Sequence, residues 1–276
     1  MKIIQAGLDG YEIIQHPSQI GSIIMSYFII TPTGKLIVID GGQIADGLYL
    51  KDKIKEYGSI VHSWFISHGH NDHIGALPTV LNDPNGIKIE RLYMDLPPTE
   101  WLKTVETPDG SGATEFLSAL KLHPEINCIT VKQGMCFTVD GAITEVLSDS
   151  SDYKKMDNIN DTTVVYKFIF PNKKTALFLG DMNVTGGETL ADFYQNKLSC
   201  DIVQMAHHGQ NGVSNRVYKL VSPKICLWPT PLWLWNNDIG KGTNSGPWTT
   251  LITRKWMDDL DVKIHGAMVD GEIIIK

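Results

Sequence analysis

The sequence predicts an α+β chain folded as a four-layer αββα sandwich, with helices outside two central sheets. Two observations predict it. Short β-branched runs alternate with amphipathic stretches along the whole chain. Two buried-looking strands, "LIVIDGG" (36–42) and "ALFLGDM" (176–182), also end alike, each with an aspartate beside glycine, as related halves would. Glycine there lets the backbone turn sharply and leaves the carboxylate free at the sheet edge. The break between the halves is expected in the irregular "LSDSSDYKKMDNINDT" (147–162).

In chain order, the β-branched and apolar runs predict strands over 2–8, 23–30, 35–40, 60–67 and 87–95. Later runs predict them over 142–148, 162–170, 175–181, 201–206 and 224–228, with a last strand over 271–275. The amphipathic stretches between them predict helices over 44–57, 73–82, 112–123, 186–197, 214–221 and 247–260. No low-complexity segment or linker interrupts the series, so one domain over residues 1–276 is expected.

Composition excludes several classes. The apolar run "IIMSYFII" (23–30) is too short to cross a membrane. The opening "MKIIQAGLDGYEIIQ" lacks the apolar core and small-residue cleavage site of a secretory signal. Cys128, Cys136, Cys200 and Cys226 are scattered with no CxxC, which favours free thiols and a cytoplasmic setting. Pairing of Cys128 with Cys136 across a hairpin is the less favoured alternative. With 31 acidic and 24 basic residues the chain carries a formal charge of −7. That disfavours long nucleic acid as a partner without excluding it, because phosphate binding draws on basic surface.

The stretch that carries chemistry is "SHGHNDHIG" (67–75). An apolar strand, "WFIS", ends there and a helix begins, which places the cluster on a loop at a strand's carboxyl end, where α/β architectures put ligand sites. Imidazole and carboxylate are ligands of zinc and similar divalent metals. His68 and His70, two apart in an extended loop, can point the same way. Asp72 and His73 follow as the helix starts and can serve a second point nearby. A loop of solvent-facing caps would account for one such histidine, not for three with an interleaved aspartate. Other motif classes are missing: "GGQIADG" lacks the Gly-Lys-Ser/Thr of a phosphate loop, and no Gly-x-Ser-x-Gly elbow appears.

His68-Gly69-His70-Asn71-Asp72-His73 resembles the HxHxDH hallmark of the metallo-β-lactamase superfamily. Asp40 in "LIVIDGG" resembles that family's first motif, an aspartate supporting the metal loop. Asp181 in "LFLGDM" resembles its metal-bridging carboxylate, and His208 in "MAHHG" its final histidine. The resemblance implies the metallo-β-lactamase fold and two divalent metal ions, zinc first, with manganese or iron as alternatives. One metal would be held by His68, His70 and Asp181, the other by Asp72, His73, Asp181 and His208. The stretches "NDTTVVYKFIF", "KTALFLGDM" and "HHGQNGVS" look like the branch containing the hydrolase domain of DNA-uptake competence proteins and phosphorylcholine esterases. The closing "DVKIHGAMVDGEIIIK" resembles that branch's terminal hairpin.

One departure matters. The lactamase pattern has a further histidine between HxHxDH and the bridging aspartate. Here only His123 lies in that interval, in "KLHPEI", and reads as a capped helix end. Asn160 and Asp161 stand near the expected position as supporting groups or extra ligands, so the first metal is expected to bind more weakly. His207 is left over beside His208. It reads either as a proton donor to a substrate oxygen or as a ring satisfied in the core by a carbonyl.

The resemblance implies a metal-dependent hydrolase. The branch and the missing histidine favour a phosphodiesterase, acting on a small-molecule phosphodiester through a hydroxide bridging the metals, with Asp72 orienting it. A lactonase or β-lactamase-like hydrolase of esters or amides is the alternative, and a non-catalytic metal-binding protein is the reading from another class. Last, "WPTPLWLWNNDIGKGTNSGPW" (228–248) holds four of the seven tryptophans. Its glycine-rich middle suggests a lid, and its rings suggest either a pocket wall or local packing.

Overall fold

The computed structural model describes residues 1–105 and 112–276. One sheet takes β1 (Lys2–Ile4), β2 (Glu12–Gln15), β3 (Ser26–Ile30), β4 (Leu36–Asp40), β5 (Ile60–Phe65), β6 (Lys88–Ile89), β7 (Arg91–Met94) and β8 (Asn127–Thr130). The other takes β9 (Cys136–Val139), β10 (Ala142–Val146), β11 (Tyr166–Ile169), β12 (Thr175–Phe178), β13 (Ile202–Gln204), β14 (Ile225–Trp228) and β15 (Ile264–Ala267). The last strand, β16 (Ile273–Ile275), returns to the first sheet and lies between β1 and β2.

Helices cover both outer faces. Over the first sheet lie α1 (Gly47–Glu56), α2 (Asn71–Ile74), α3 (Leu77–Asn82), α4 (Thr99–Val105) and α5 (Gly112–Leu120). On the second sheet's side are α6 (Val184–Tyr194), α7 (Asn215–Val221), α8 (Leu232–Trp235) and α9 (Thr250–Asp259). Strand alternation explains the layering. In β4, Ile37 and Ile39 face the second sheet, against Tyr166, Phe168 and Phe178, while Leu36 and Val38 face α1 and α3. In β14, Ile225 and Leu227 join the same central core while Cys226 and Trp228 face α7 and α9. A one-residue slip in any of these strands would exchange the two cores, so burial on both faces pins the register. This is the αββα sandwich of the metallo-β-lactamase fold.

Several expectations are corrected. The sheets divide at residues 131–135, between β8 and β9, and not at 147–162, which runs inside the second half between β10 and β11. The closing residues form no hairpin: β15 adds to β14 in the second sheet and β16 to β1 and β2 in the first. The cysteines follow the favoured reading: all four are free, and Cys128 and Cys136 lie on different sheets. The helix expected over 73–82 is two short ones, α2 and α3, and strands β2, β8, β9 and β15 lie outside the sequence-predicted set. Among the described residues no helix is long and apolar enough to cross a membrane.

Strands β4, β5 and β7 run parallel, as do β12, β13 and β14. Their carboxyl ends open on the same edge of the sandwich, and the candidate ligands follow β5, β12 and β13.

Candidate metal centre

Asp40 organises the loop after β5. It ends β4 with φ 54°, a left-handed conformation that non-glycine residues adopt at a cost. Its Oδ1 accepts from the Ser67 backbone N–H at 2.8 Å and its Oδ2 from Ser67 Oγ at 2.7 Å. Oδ2 also lies 2.8 Å from His73 Nδ1. The glycines after it complete the hold: the N–H groups of Gly41 and Gly42 donate to the His73 carbonyl at 2.7 and 3.1 Å. Asp40 thus fixes the ring and backbone of His73 without facing the centre itself.

The other histidines are oriented by the same device. His68 Nδ1 lies 3.1 Å from Ser67 Oγ, His208 Nδ1 donates to the Pro229 carbonyl at 3.0 Å, and His207 Nδ1 to the Asn211 carbonyl at 3.2 Å. Each Nδ1 so occupied leaves Nε2 to face inward, the arrangement that tunes imidazole ligands in metal sites. His207 and His208 both have φ near +50°, at 50° and 56°. Two consecutive left-handed residues are the strain expected where function fixes a loop.

Asp181 lies where these rings converge. Its Oδ1 is 3.2 Å from His73 Nε2, and its Oδ2 is 3.9, 3.7 and 3.7 Å from the Nε2 atoms of His68, His207 and His208. Asp72 Oδ2 lies 2.7 Å from His208 Nε2 and 3.8 Å from His73 Nε2, and His68 Nε2 is 2.9 Å from His70 Nδ1. Two groups result, each with its ligand atoms within 4.8 Å of one another: Asp72, His73, Asp181 and His208, and His68, His70 and Asp181. Asp181 belongs to both.

The donor set fits divalent ions. Asp72 Oδ2, His73 Nε2, Asp181 Oδ1 and His208 Nε2 are all buried, close together and without a hydrogen-bond partner in aligned geometry. Buried polar atoms normally find partners, and four orphans converging on one point are what a cation would satisfy. The electrostatics agree. Burial would raise the Asp181 carboxyl, but His73, His208 and His207 outweigh it and hold it well below the ordinary range. Burial likewise opposes charge on His73, yet Asp181, Asp40 and Asp72 outweigh it and raise its pKa well above the usual value. His68 is lowered well below that value, by burial and then by His73 and His70.

Of the two residues weighed from sequence as extra ligands, Asp161 falls outside both groups, while Asn160 stands beside His207 with its buried Oδ1 unpartnered. Asn160 Nδ2 lies 3.5 Å from His207 Nε2, and Asp161 Oδ2 accepts from Asn158 Nδ2 at 2.9 Å. His123 pairs with Glu125 at 2.9 Å near the amino ends of β7 and β8, beside a cavity of about 450 Å³ also lined by Arg91 and Ile126. That is the far end of the strands from His68, so this cavity is not the site. Sequence reading missed Ser67 and Gln204. Gln204 Oε1 accepts from the Gly180 N–H at 2.7 Å and its Nε2 donates to the Gly180 carbonyl at 3.1 Å, locking the turn that delivers Asp181. A glutamine inside the apolar run "DIVQMA" was the available signal.

Residues 21–132 match the family model of the metallo-beta-lactamase superfamily. Solved structures extend the likeness over the whole chain. The metallo-beta-lactamase fold protein YhfI from Bacillus subtilis aligns over 93% of this chain and 96% of its own, with TM-score 0.56 and 11% identity. The fold is that of the metallo-beta-lactamase superfamily. Unliganded yeast PDE1 aligns over 96% of this chain and 97% of its own, with TM-score 0.54 and 11% identity. The E377D mutant of CmlA beta-hydroxylase, an enzyme of Streptomyces venezuelae, aligns over 96% of this chain and 54% of its own, with TM-score 0.58 and 10% identity. No curated protein sequence matches the chain. The superfamily match ends at residue 132, where the sheets divide, so Asp181 and His208 rest on the motif resemblance and on the geometry above.

Proposed function

We propose that this metallo-β-lactamase-fold chain is a metal-dependent hydrolase of phosphodiesters. The observation that carries the reading is the pair of ligand groups sharing Asp181, assembled from loops of both sheets. A pair of divalent ions held there supplies a Lewis acid and brings the pKa of a bound water toward neutrality. His68, His70 and Asp181 would hold one ion, and Asp72, His73, Asp181 and His208 the other, with zinc the first choice for a nitrogen and carboxylate set.

The chain's own groups do the rest. Asp72 is buried, and burial would raise its carboxyl, but His73 and His208 outweigh that and lower it. Its carboxylate would orient the attacking hydroxide. His207 Nδ1 donates to the Asn211 carbonyl and its Nε2 lies 3.7 Å from Asp181 Oδ2, with its side chain 23% exposed, which supports the proton-donor reading over the core one. On this reading it donates a proton to the departing oxygen. The choice of phosphodiester over lactam or lactone is supported by the branch resemblance of "LFLGDM" and "HHG", and by only three clustered ligands in the His68 group.

Bis(p-nitrophenyl) phosphate with added zinc or manganese tests this directly. Turnover that disappears with chelator is expected. Turnover of nitrocefin or a lactone instead would replace the phosphodiester reading, and bound metal with no turnover of any of the three would leave a binding protein.

A further inference from the structure

The tryptophan-rich stretch 228–248 divides into two pairs. Trp228 is fully buried, its Nε1 donates to His265 Nδ1 at 3.0 Å, and it packs edge-on against Trp235 at 5.4 Å. Trp235 in turn carries the Arg254 guanidinium 4.0 Å above its ring. Trp228 is committed to the core, and Trp235, itself partly exposed, is packed against it. Trp233 and Trp248 are not: they contact each other at 4.8 Å and 60°, and both remain partly exposed. Leu232, 63% exposed, precedes Trp233 in the chain, and Ile20, 57% exposed, precedes Gly21, whose carbonyl accepts a hydrogen bond from Trp233 Nε1 at 3.2 Å.

Both loops that bear this patch are rooted at the metal centre. Pro229, four residues before Trp233, accepts from His208 Nδ1, and Thr230 Oγ1 donates to the His208 carbonyl at 2.6 Å. Met25, four residues after Gly21, donates its N–H to the Asp72 carbonyl at 2.9 Å. Four residues span at most roughly 14 Å, which bounds how far Trp233 lies from Pro229 and Gly21 from Met25, the residues bonded to His208 and Asp72. The 236–248 loop, read from sequence as a lid, is held in shape by its own bonds. Asp238 Oδ1 accepts from the N–H groups of Gly240, Lys241 and Gly242 at 2.7–3.0 Å, and Asn237 Oδ1 from that of Trp248 at 3.0 Å. Trp248 is thereby set in place before anything binds.

We propose that Trp233 and Trp248, edged by Leu232 and Ile20, form a substrate subsite that stacks on a planar aromatic ring attached to the phosphoryl group. The proposal rests on the phosphoryl reading above. An aromatic face accepts any flat π-system, and loss of one such stack weakens binding by tenfold or more. Among the described residues the two rings partner each other and the Gly21 carbonyl, with no carboxylate between them, which favours an uncharged ring over a quaternary ammonium group.

The test uses the full chain loaded with zinc and two matched pairs of probes, AMP with ribose 5-phosphate and phenylphosphonate with methylphosphonate. Binding is read by calorimetry and by tryptophan fluorescence. The ring-bearing member of at least one pair should bind about tenfold more tightly and quench fluorescence. A preference in the AMP pair alone identifies a nucleobase, and one in both pairs any aryl ring. Trp233→Ala or Trp248→Ala should erase the preference while metal content and affinity for the ring-less member stay unchanged. Equal affinity within both pairs, or a preference surviving in both variants, overturns the proposal and leaves the phosphoryl reading standing. Binding of none of the four probes would take down the phosphoryl reading itself.

Discussion

At Asp181 a single carboxylate meets both ligand groups, buried at 2% exposure among three Nε2 atoms within 3.7 Å and a fourth at 3.9 Å. Replacing it with alanine removes the one negative charge that both cations would share. Asp181→Ala is expected to lower zinc content below that of the wild type and to cost at least about a hundredfold in phosphodiester turnover, roughly 2.7 kcal/mol. Elemental analysis and steady-state rates check it; full metal content in the variant would remove Asp181 from the site. His123→Ala is the control. Its ring lies by Glu125 at the opposite end of the strands, so activity should stay near the wild-type level. At this scale the sequence was highly legible, because HxHxDH is contiguous and each ligand motif is closed by a glycine or a strand end. What it hid were partners brought in from elsewhere: Ser67 between two rings, Asn211 on His207, and Pro229 on His208. A backbone carbonyl has no residue type to announce it.

Elements deliver these residues through turns with little room. Gly180, between β12 and Asp181, has φ 51°, and a Cβ there would lie 2.7 Å from Thr163 Cγ2 and 3.0 Å from Ser67 Cβ. Gly180→Ala therefore strains the backbone and pushes on the residue that orients His68 and His73. A loss of about 1–3 kcal/mol in unfolding free energy is expected, together with weaker zinc binding. Urea melts and a zinc titration measure the two; wild-type values for both would show that the turn relaxes freely. Element prediction from sequence worked best for strands buried on both faces, such as "KLIVID" and "KICLW". It missed β8 and β9, whose exposed and polar residues face water at the sheet edges. It also merged α2 with α3, because "HIGALPTVL" keeps its apolar character across the break at Gly75 and Ala76. The halves were placed too far along because the irregular 147–162 segment looks like a linker, while the true join at 131–135 is short.

Across the whole molecule the two sheets are fastened at both ends. Away from the metal site, Asp140 in the turn before β10 reaches the β3–β4 turn, accepting from Lys35 Nζ at 2.8 Å, Thr31 Oγ1 at 2.5 Å and Thr33 Oγ1. The hydrogen bond from Lys35, then those from Thr31 and Thr33, hold its carboxyl at about 2. A depressed folded pKa gives stability that is fully present above the unfolded value of about 3.9 and lost as pH falls through about 2. Asp140→Asn should thus be less stable than the wild type at pH 7, with the gap closing between about pH 4 and pH 2. A gap that does not change with pH would show that the clamp works through shape and not charge.

At the other end the fastening is the candidate metal centre, where Asp72 meets His208 and His73 meets Asp181 across the sheets and a bound ion would add to those contacts. His68, His70, Asp72 and His73 follow β5 of the first sheet, whereas Asp181 and His208 follow β12 and β13 of the second. Unfolding separates these loops and destroys the site, so any ion bound there stabilises the folded chain by mass action. At a free zinc concentration 100 times the dissociation constant the gain is about 2.7 kcal/mol. For a chain of this size each kcal/mol moves the midpoint by roughly 2–4 °C, so Tm should rise by about 5–10 °C on adding zinc and fall back with chelator. Asp181→Ala should lose most of that response, since it removes the residue common to both groups, while His123→Ala should keep it. The measurement needs no substrate and reads the centre independently of turnover. A wild-type Tm indifferent to zinc, manganese and iron alike would mean that the orphaned atoms of Asp72, His73, Asp181 and His208 are satisfied by something other than a divalent cation.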